Sequence, residues 1–261
     1  MAESSVDRLE EIEKFENKPV HDNVVDLPIN QLRIKNLHFR FPGEEVDIIK
    51  ALDFSANPGQ KIGVVGEVGS GKTVLLKLIS GWFVPSGGSV EVDDLRIDDL
   101  SDASRAQIIG YVPQDIELFS GTVTDNISMG RESSQSLESI TESAVIGGEL
   151  DLDKILEQGG VGLSGGQRAR VALARAFYGN TPIYIFDDVT SALDLNTEKI
   201  LWQNINTAYS EALFLVATHR EATASEMDRV IWIKDGQIYH EGQHADLLRL
   251  HPEYRSLFAQ D

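Results

Sequence analysis

The chain has no cysteine, which excludes disulfides, thiolate nucleophiles and cysteine-held metals and fits a reducing compartment such as the cytosol. It also lacks long apolar runs. The longest, such as residues 212–217, are the size of a strand, and none approaches the roughly 18–20 residues that span a bilayer. The N-terminus is acidic and has no apolar segment of the kind a signal peptide requires. Basic residues are scarce, with 23 Lys and Arg against 42 Asp and Glu and a formal net charge of −19. A nucleic-acid partner would need a basic stripe to displace counterions, and none is present. A polybasic grip on anionic lipid is equally unsupported. The simplest reading of the acidic excess is solubility.

What is present is ordinary for a globular protein: 41% hydrophobic and 25% charged residues in a chain of 261. That length suits one large α/β domain or two small ones. Residues 1–30 stand apart. Ser4-x-x-Asp7 can cap a helix carrying Val6, Leu9, Ile12 and Phe15 on one stripe, stopped at Asn17-Lys18-Pro19 and followed by an extended linker. Such a helix either packs on a partner or frays. From Leu32 the pattern turns to strands: Leu32-Arg33-Ile34, Leu37-His38-Phe39-Arg40-Phe41 and Val46-Asp47-Ile48-Ile49, interrupted by Pro42-Gly43. Residues 89–92 and Leu95-Arg96-Ile97 read as a hairpin about Asp93-Asp94, and residues 230–233 begin another that turns at Asp235-Gly236. The middle, about 133–180, reads as helical, with Leu137, Ile140 and Ala144 on one face and a long alanine-rich helix over 167–178. Residues 183–186 and 213–217 are candidate buried parallel strands. The pattern predicts an α/β core with a mostly helical insertion and a small antiparallel sheet at the start.

The run Gly66-Glu67-Val68-Gly69-Ser70-Gly71-Lys72-Thr73 fits G-x-x-x-x-G-K-[ST] at every fixed position. Before it, Lys61-Ile62-Gly63-Val64-Val65 reads as a buried strand; after it, Val74, Leu75, Leu76, Leu78 and Ile79 give an apolar helix ending at Gly81. A glycine-rich turn could match by accident, but strand, glycine loop and helix together are the setting in which this motif binds phosphate. Loop N–H groups and the helix dipole favour the anion, Lys72 reaches the β- and γ-phosphates, and the Thr73 hydroxyl binds Mg²⁺. Ile183-Tyr184-Ile185-Phe186-Asp187-Asp188 is an apolar strand ending in two carboxylates. After a P-loop, the first acid belongs to the Mg²⁺ shell, and a group beside it orients the attacking water.

Leu163-Ser164-Gly165-Gly166-Gln167, followed by Arg168-Ala169-Arg170-Val171-Ala172-Leu173-Ala174-Arg175-Ala176, resembles the signature motif and helix of ATP-binding cassette (ABC) ATPases. The resemblance covers roughly residues 32–261. It implies a P-loop NTPase core with a mixed sheet, an N-terminal antiparallel β-subdomain, and an α-helical subdomain at about 115–180 that carries the signature. The cassette would occupy 31–261, after an N-terminal helix and linker at 1–30. By the same resemblance, Ser164, Gly165, Gly166 and Gln167 contact the nucleotide bound to an opposite subunit. Gln114, in Tyr111-Val112-Pro113-Gln114-Asp115, is a Mg²⁺ ligand and a link to a membrane partner. Asp194, in Ser191-Ala192-Leu193-Asp194, lies in the loop that crosses the dimer interface. His219, in Ala217-Thr218-His219-Arg220, is the switch histidine near the γ-phosphate. Phe41 stands where an aromatic, usually tyrosine, stacks on adenine; its bland alternative is a core residue. The segment from Gln114 to Ile127 looks like that of exporters and type I secretion ATPases.

Three departures stand out. The family's catalytic glutamate is Asp188 here, Val189 replaces the usual proline, and Glu157-Gln158-Gly159-Gly160-Val161-Gly162 is shorter than the exporter segment that touches the membrane domain. The resemblance implies an ATPase subunit or domain, with ATP and Mg²⁺ as cofactors, that powers export from the cytoplasmic face of a membrane. Its partners would be a transmembrane permease domain or subunit and a second cassette, as a homo- or heterodimer, with no nucleic acid. Asp188 raises an alternative, a degenerate ATP-binding clamp with reduced turnover in a heterodimeric exporter. A non-transport cassette ATPase is less favoured, because the coiled-coil insertions or tandem cassettes of that class are missing.

Overall fold

A computed structural model describes residue 25 and residues 27–148 and 150–258. The helix expected on Val6, Leu9, Ile12 and Phe15 falls outside these residues. The strands in chain order are β1 (Leu32–Phe39), β2 (Ile49–Ala56), β3 (Lys61–Val65), β4 (Gly87–Val92), β5 (Leu95–Arg96), β6 (Ile109–Val112), β7 (Gly121–Thr122), β8 (Ile155–Leu156), β9 (Ile183–Asp187), β10 (Leu213–Ala217), β11 (Arg229–Lys234) and β12 (Gln237–Gly242).

An antiparallel sheet in the order β2-β1-β4-β5 packs beside a six-stranded mixed sheet in the order β12-β11-β3-β10-β9-β6. In the larger sheet all pairs are parallel except β11 with β12. The two short strands expected over residues 32–41 are in fact one, β1. Its alternation slips by a residue at Asn36, where φ is 41° and the register to β2 and β4 shifts, so both halves turn their apolar side chains inward. β2 starts at Ile49, later than the alternation of residues 46–49 suggested, and Phe41 lies beyond the end of β1. The hairpin between β4 and β5 turns through Asp93 and Asp94, both at positive φ, as its turn residues led us to expect.

β9 and β10 are buried along their whole length. Tyr184 and Phe186 point into one core with Phe177, Trp202 and Phe214; Ile183 and Ile185 point into the other with Leu75, Ile79 and Leu215. Burial on both faces is why these strands read as continuous apolar runs rather than alternating ones. Helices Val123–Ser128, Leu137–Ser143 and Gly165–Tyr178 lie between β6 and β9, with the β7–β8 pair among them. Residues 66–73, Gln114, Asp187-Asp188 and His219 all follow the C-terminal ends of parallel strands, the edge where open α/β sheets bind ligands.

Candidate active site

β3 runs directly into the glycine loop, which re-enters a helix at Lys72. A side chain at Gly66 would place its Cβ 2.3 Å from the Ile233 carbonyl oxygen and 2.7 Å from Ser70 Oγ, so β11 leaves room only for glycine. Gly71, the residue before the helix, sits at φ 106°, where any other residue is strained.

Lys72 is 8% exposed, and its Nζ donates to the carbonyl oxygens of Gly66 and Glu67 at 2.8 and 2.9 Å. Burial holds its pKa below the ordinary lysine value, against the pull of Asp188 and Asp187. The Thr73 hydroxyl donates to Asp187 Oδ1 at 3.0 Å, and the Tyr111 hydroxyl donates to Oδ2 at 3.2 Å. Asp187 is buried, and burial raises its pKa although both hydroxyls and the nearby Lys77 and Lys72 oppose the shift. Burial and the neighbouring Asp187 charge also push the Tyr111 phenol upward, which keeps it a donor.

Asp188 has φ 51°, a left-handed conformation that costs a non-glycine residue energy and clusters at functional sites. Its N–H donates to the Ala217 carbonyl at 3.0 Å, and the His219 backbone donates to its carboxylate. Burial raises the Asp188 pKa, and the His219 imidazole works against that shift. Among the described residues, Asp188 Oδ1 is buried without a hydrogen-bond partner, as is Ser70 Oγ.

Gly69, Gly71, Lys72, Thr73, Gln114, Asp187, Asp188 and His219 share a cavity of about 390 Å³ with Ile48, Val68, Val74 and Ala217. Glu67 and Ser70 line a second cavity of about 250 Å³ on the β11 side of the loop. The remaining candidates are not among the residues lining these two cavities. Phe41 is 40% exposed and packs edge-on against Phe39 and Phe83, with ring centroids 5.2 and 5.7 Å away. Ser164 caps helix Gly165–Tyr178 in a reciprocal capping box with Gln167, leaving Ser164 and Gly165 exposed. Asp194 caps helix Leu195–Ala208, accepting from the N–H groups of Asn196 and Thr197 and from the Thr197 hydroxyl; these bonds lower its pKa.

The residues present fit a phosphate chain and a Mg²⁺ ion. A buried cation, a hydroxyl without a partner among the described residues and glycines at 66 and 71 that leave no room for a side chain suit phosphate. Among the described residues no group of three His, Cys, Asp or Glu could hold a metal. Mg²⁺ is usually held by one or two carboxylates together with substrate phosphates, and Asp187 brings a carboxylate to the cavity. Thr73, Asp187 and Gln114 line the cavity and carry oxygen atoms of the kind that Mg²⁺ takes as ligands.

Sequence reasoning missed two contributors. Tyr111 bonds Asp187 across two strands, a contact no local pattern announces. Arg220 donates from NH1 to the carbonyls of Thr190 and Leu193 at 2.7 and 2.8 Å and pairs with buried Glu198 at 2.8 Å. It thereby ties the segment after Asp188 to the segment carrying His219; its place directly after His219 was the available signal.

A family model described as ABC transporter matches residues 49–191, more than half of the chain. The chain belongs to the ABC transporter family. This ABC protein is 32% identical over 266 residues to an uncharacterized ABC transporter ATP-binding protein of Bacillus subtilis, covering 98% of this chain and 46% of that one. It is 33% identical over 255 residues to an ATP-dependent lipid A-core flippase of Salmonella typhimurium, covering 95% of this chain and 43% of the flippase. With an alpha-hemolysin translocation ATP-binding protein of Escherichia coli it shares 34% identity over 255 residues, 94% of this chain and 36% of the relative. A solved bacterial Atm1-family ABC exporter with ATP bound superposes with a TM-score of 0.86 at 26% identity, over 99% of this chain and 48% of that one. The ABC chain therefore spans less than half the length of these relatives. The cassette fold and the exporter-type likeness drawn from the sequence both stand. Among the described residues, no helix is long and apolar enough to cross a membrane.

Proposed function

We propose that this chain is the ATP-binding and ATP-hydrolysing part of a membrane exporter, working at the cytoplasmic face with a transmembrane partner. The observation that carries the reading is the meeting of Lys72, Thr73, Gln114, Asp187, Asp188 and His219 around one cavity, at the ends of four parallel strands. In this reading residues 31–261 form the cassette, about 115–180 its helical subdomain, and residues 1–30 the connection toward the membrane.

Residues 66–73 cradle the phosphates through backbone N–H groups, and Lys72 sets its charge against the β- and γ-oxygens. Thr73, Asp187 and Gln114 hold Mg²⁺, which when bound offsets phosphate charge. Asp188 accepts a hydrogen bond from the attacking water and takes its proton, and the partnerless Oδ1 supports this role. His219, whose backbone fixes Asp188, aligns its side chain toward the γ-phosphate. Phe41 offers its exposed face to adenine. The uncovered N-terminus of helix Gly165–Tyr178, with Ser164, Gly165, Gly166 and Gln167, supports head-to-tail pairing in which each signature completes the other chain's site, with Asp194 at the junction.

Asp188 itself favours a second reading, a cassette that binds ATP tightly and turns it over slowly beside a more active partner. Phosphate release by the purified chain in Mg²⁺ and ATP, alone and with Lys72→Ala, tests the first. Release far above the Lys72→Ala background supports the first; ATP binding with release little above that background supports the clamp.

A further inference from the structure

Asp187 ends β9, whose neighbour β6 carries Tyr111 in parallel register, opposite Ile185. From that position the Tyr111 hydroxyl reaches Asp187 Oδ2 at 3.2 Å while Thr73 holds Oδ1. Both oxygens are thus fixed by protein hydroxyls, and the plane of the carboxylate is set from two sides. The other end of the contact faces outward. The Tyr111 ring packs on Trp82, with centroids 4.8 Å apart and planes inclined by 37°. Trp82 is 60% exposed and lines, with Phe83, Arg105 and Tyr111, a groove of about 530 Å³. The other two tryptophans, Trp202 and Trp232, are buried.

We propose that Tyr111 is a positioning residue for the metal site: its hydroxyl sets the orientation of Asp187, and its ring ties that orientation to Trp82 on the protein surface. The proposal rests on the reading of the cavity as a Mg²⁺–ATP site and adds a residue to it. Two links of different kinds make the chain of contacts. The bond to Asp187 is directional and is made to a charged acceptor, the stronger class of hydrogen bond. The contact with Trp82 is a broad aromatic one that moves as a unit with the phenol. A carboxylate that turns to meet an ion must therefore either stretch the Tyr111 bond or carry the ring with it. Tyr111 is not among the residues that line the cavity holding Lys72 and Asp187, so its effect is confined to the metal-dependent part of binding.

Equilibrium dialysis of labelled ATP against the parent chain and Tyr111→Phe, in EDTA and in excess Mg²⁺, separates the possibilities. Phenylalanine keeps the ring on Trp82 and removes only the hydroxyl. We expect unchanged ATP affinity in EDTA and a loss of about tenfold in the affinity gained on adding Mg²⁺, the effect of one hydrogen bond to a charged group. Tryptophan emission supplies the second readout. Adding Mg²⁺ to the ATP-loaded parent should shift the emission, Trp82→Phe should abolish the shift, and Tyr111→Phe should diminish it. A Tyr111→Phe chain that keeps the full Mg²⁺-dependent gain overturns the positioning role. Equal weakening in EDTA and in Mg²⁺ also overturns it, since a merely structural residue would act that way. An emission shift as large in Tyr111→Phe as in the parent overturns the tie to Trp82. No ATP binding by the parent in either buffer instead refutes the nucleotide site itself, and the proposal with it.

Discussion

Thr73 and Asp187 lie 114 residues apart in sequence and 3.0 Å apart in the fold, with the threonine hydroxyl donating to Oδ1. The bond joins the first turn of the P-loop helix to the end of β9 and sets both groups on one cavity wall. Because burial raises the Asp187 pKa, its charge is carried at a cost to the fold. Asp187→Asn should therefore raise the melting midpoint, by about 2–4 °C if roughly 1 kcal/mol is recovered. The same change should remove the Mg²⁺-dependent gain in ATP affinity, a trade of function against stability. Calorimetry and ATP binding on one preparation check both; a retained Mg²⁺ gain would take Asp187 out of the metal site.

Arg220 holds the segment that follows Asp188, through the carbonyls of Thr190 and Leu193. Glu198 is 2% exposed, and the side chain of Arg220 is 17% exposed. Removing one partner of a buried pair costs about 3–5 kcal/mol, and Arg220→Ala belongs near the low end because of its residual exposure. Glu198→Gln in the same chain should recover part of the loss, since it removes the stranded charge. Urea midpoints for the two single variants and the double variant give the coupling. Strict additivity would mean that the pair does not act as a unit.

Phe41 is the candidate whose role depends on its surface. Phe41→Ala should weaken ATP and ADP equally, by an aromatic-contact energy of about 0.5–1.5 kcal/mol. Titration with both nucleotides is the check. Lower stability with unchanged affinity would assign Phe41 wholly to the cluster with Phe39 and Phe83.

His244 gives the fold a pH dependence. It is buried, its Nδ1 lies 2.8 Å from the Tyr254 hydroxyl, and burial holds its pKa below 6.5 despite nearby Glu221. As pH falls below the unfolded value of about 6.5, the unfolded chain takes up the proton first, so stability present above that pH is lost toward the lower folded value. Melting midpoints between pH 7.5 and 5 should fall less steeply in His244→Gln, on the order of the pH range in which histidine titrates. Parallel curves would assign the acid sensitivity to other groups.

Much of this was legible in the sequence because its causes are local. The glycine loop, its strand and its helix form one continuous run, and the Ser164 capping box needs only four residues. The slip in β1 was not legible: alternation breaks at Asn36, and a break reads as a chain turn until both flanking partners are seen to shift register with it. Tyr111 and Asp187 were equally out of reach, since their contact spans 76 residues and depends on β6 pairing with β9. Asp188 was recognised as a substitution, but its left-handed backbone, set by the bond to Ala217, belongs to the sheet and not to the motif.

Aspartate carries its carboxylate about 1.3 Å short of where glutamate would, and misplacement on the order of 1 Å can cost about a hundredfold where catalysis is positional. The direct measurement is single-turnover cleavage of bound ATP by the parent chain, Asp188→Glu and Asp188→Asn, each at saturating ATP and Mg²⁺. The account predicts slow cleavage by the parent, faster cleavage by up to about a hundredfold for Asp188→Glu, and a stable ATP-loaded state for Asp188→Asn. Cleavage by the parent no faster than by Asp188→Asn would contradict it, because Asp188 would then be inert.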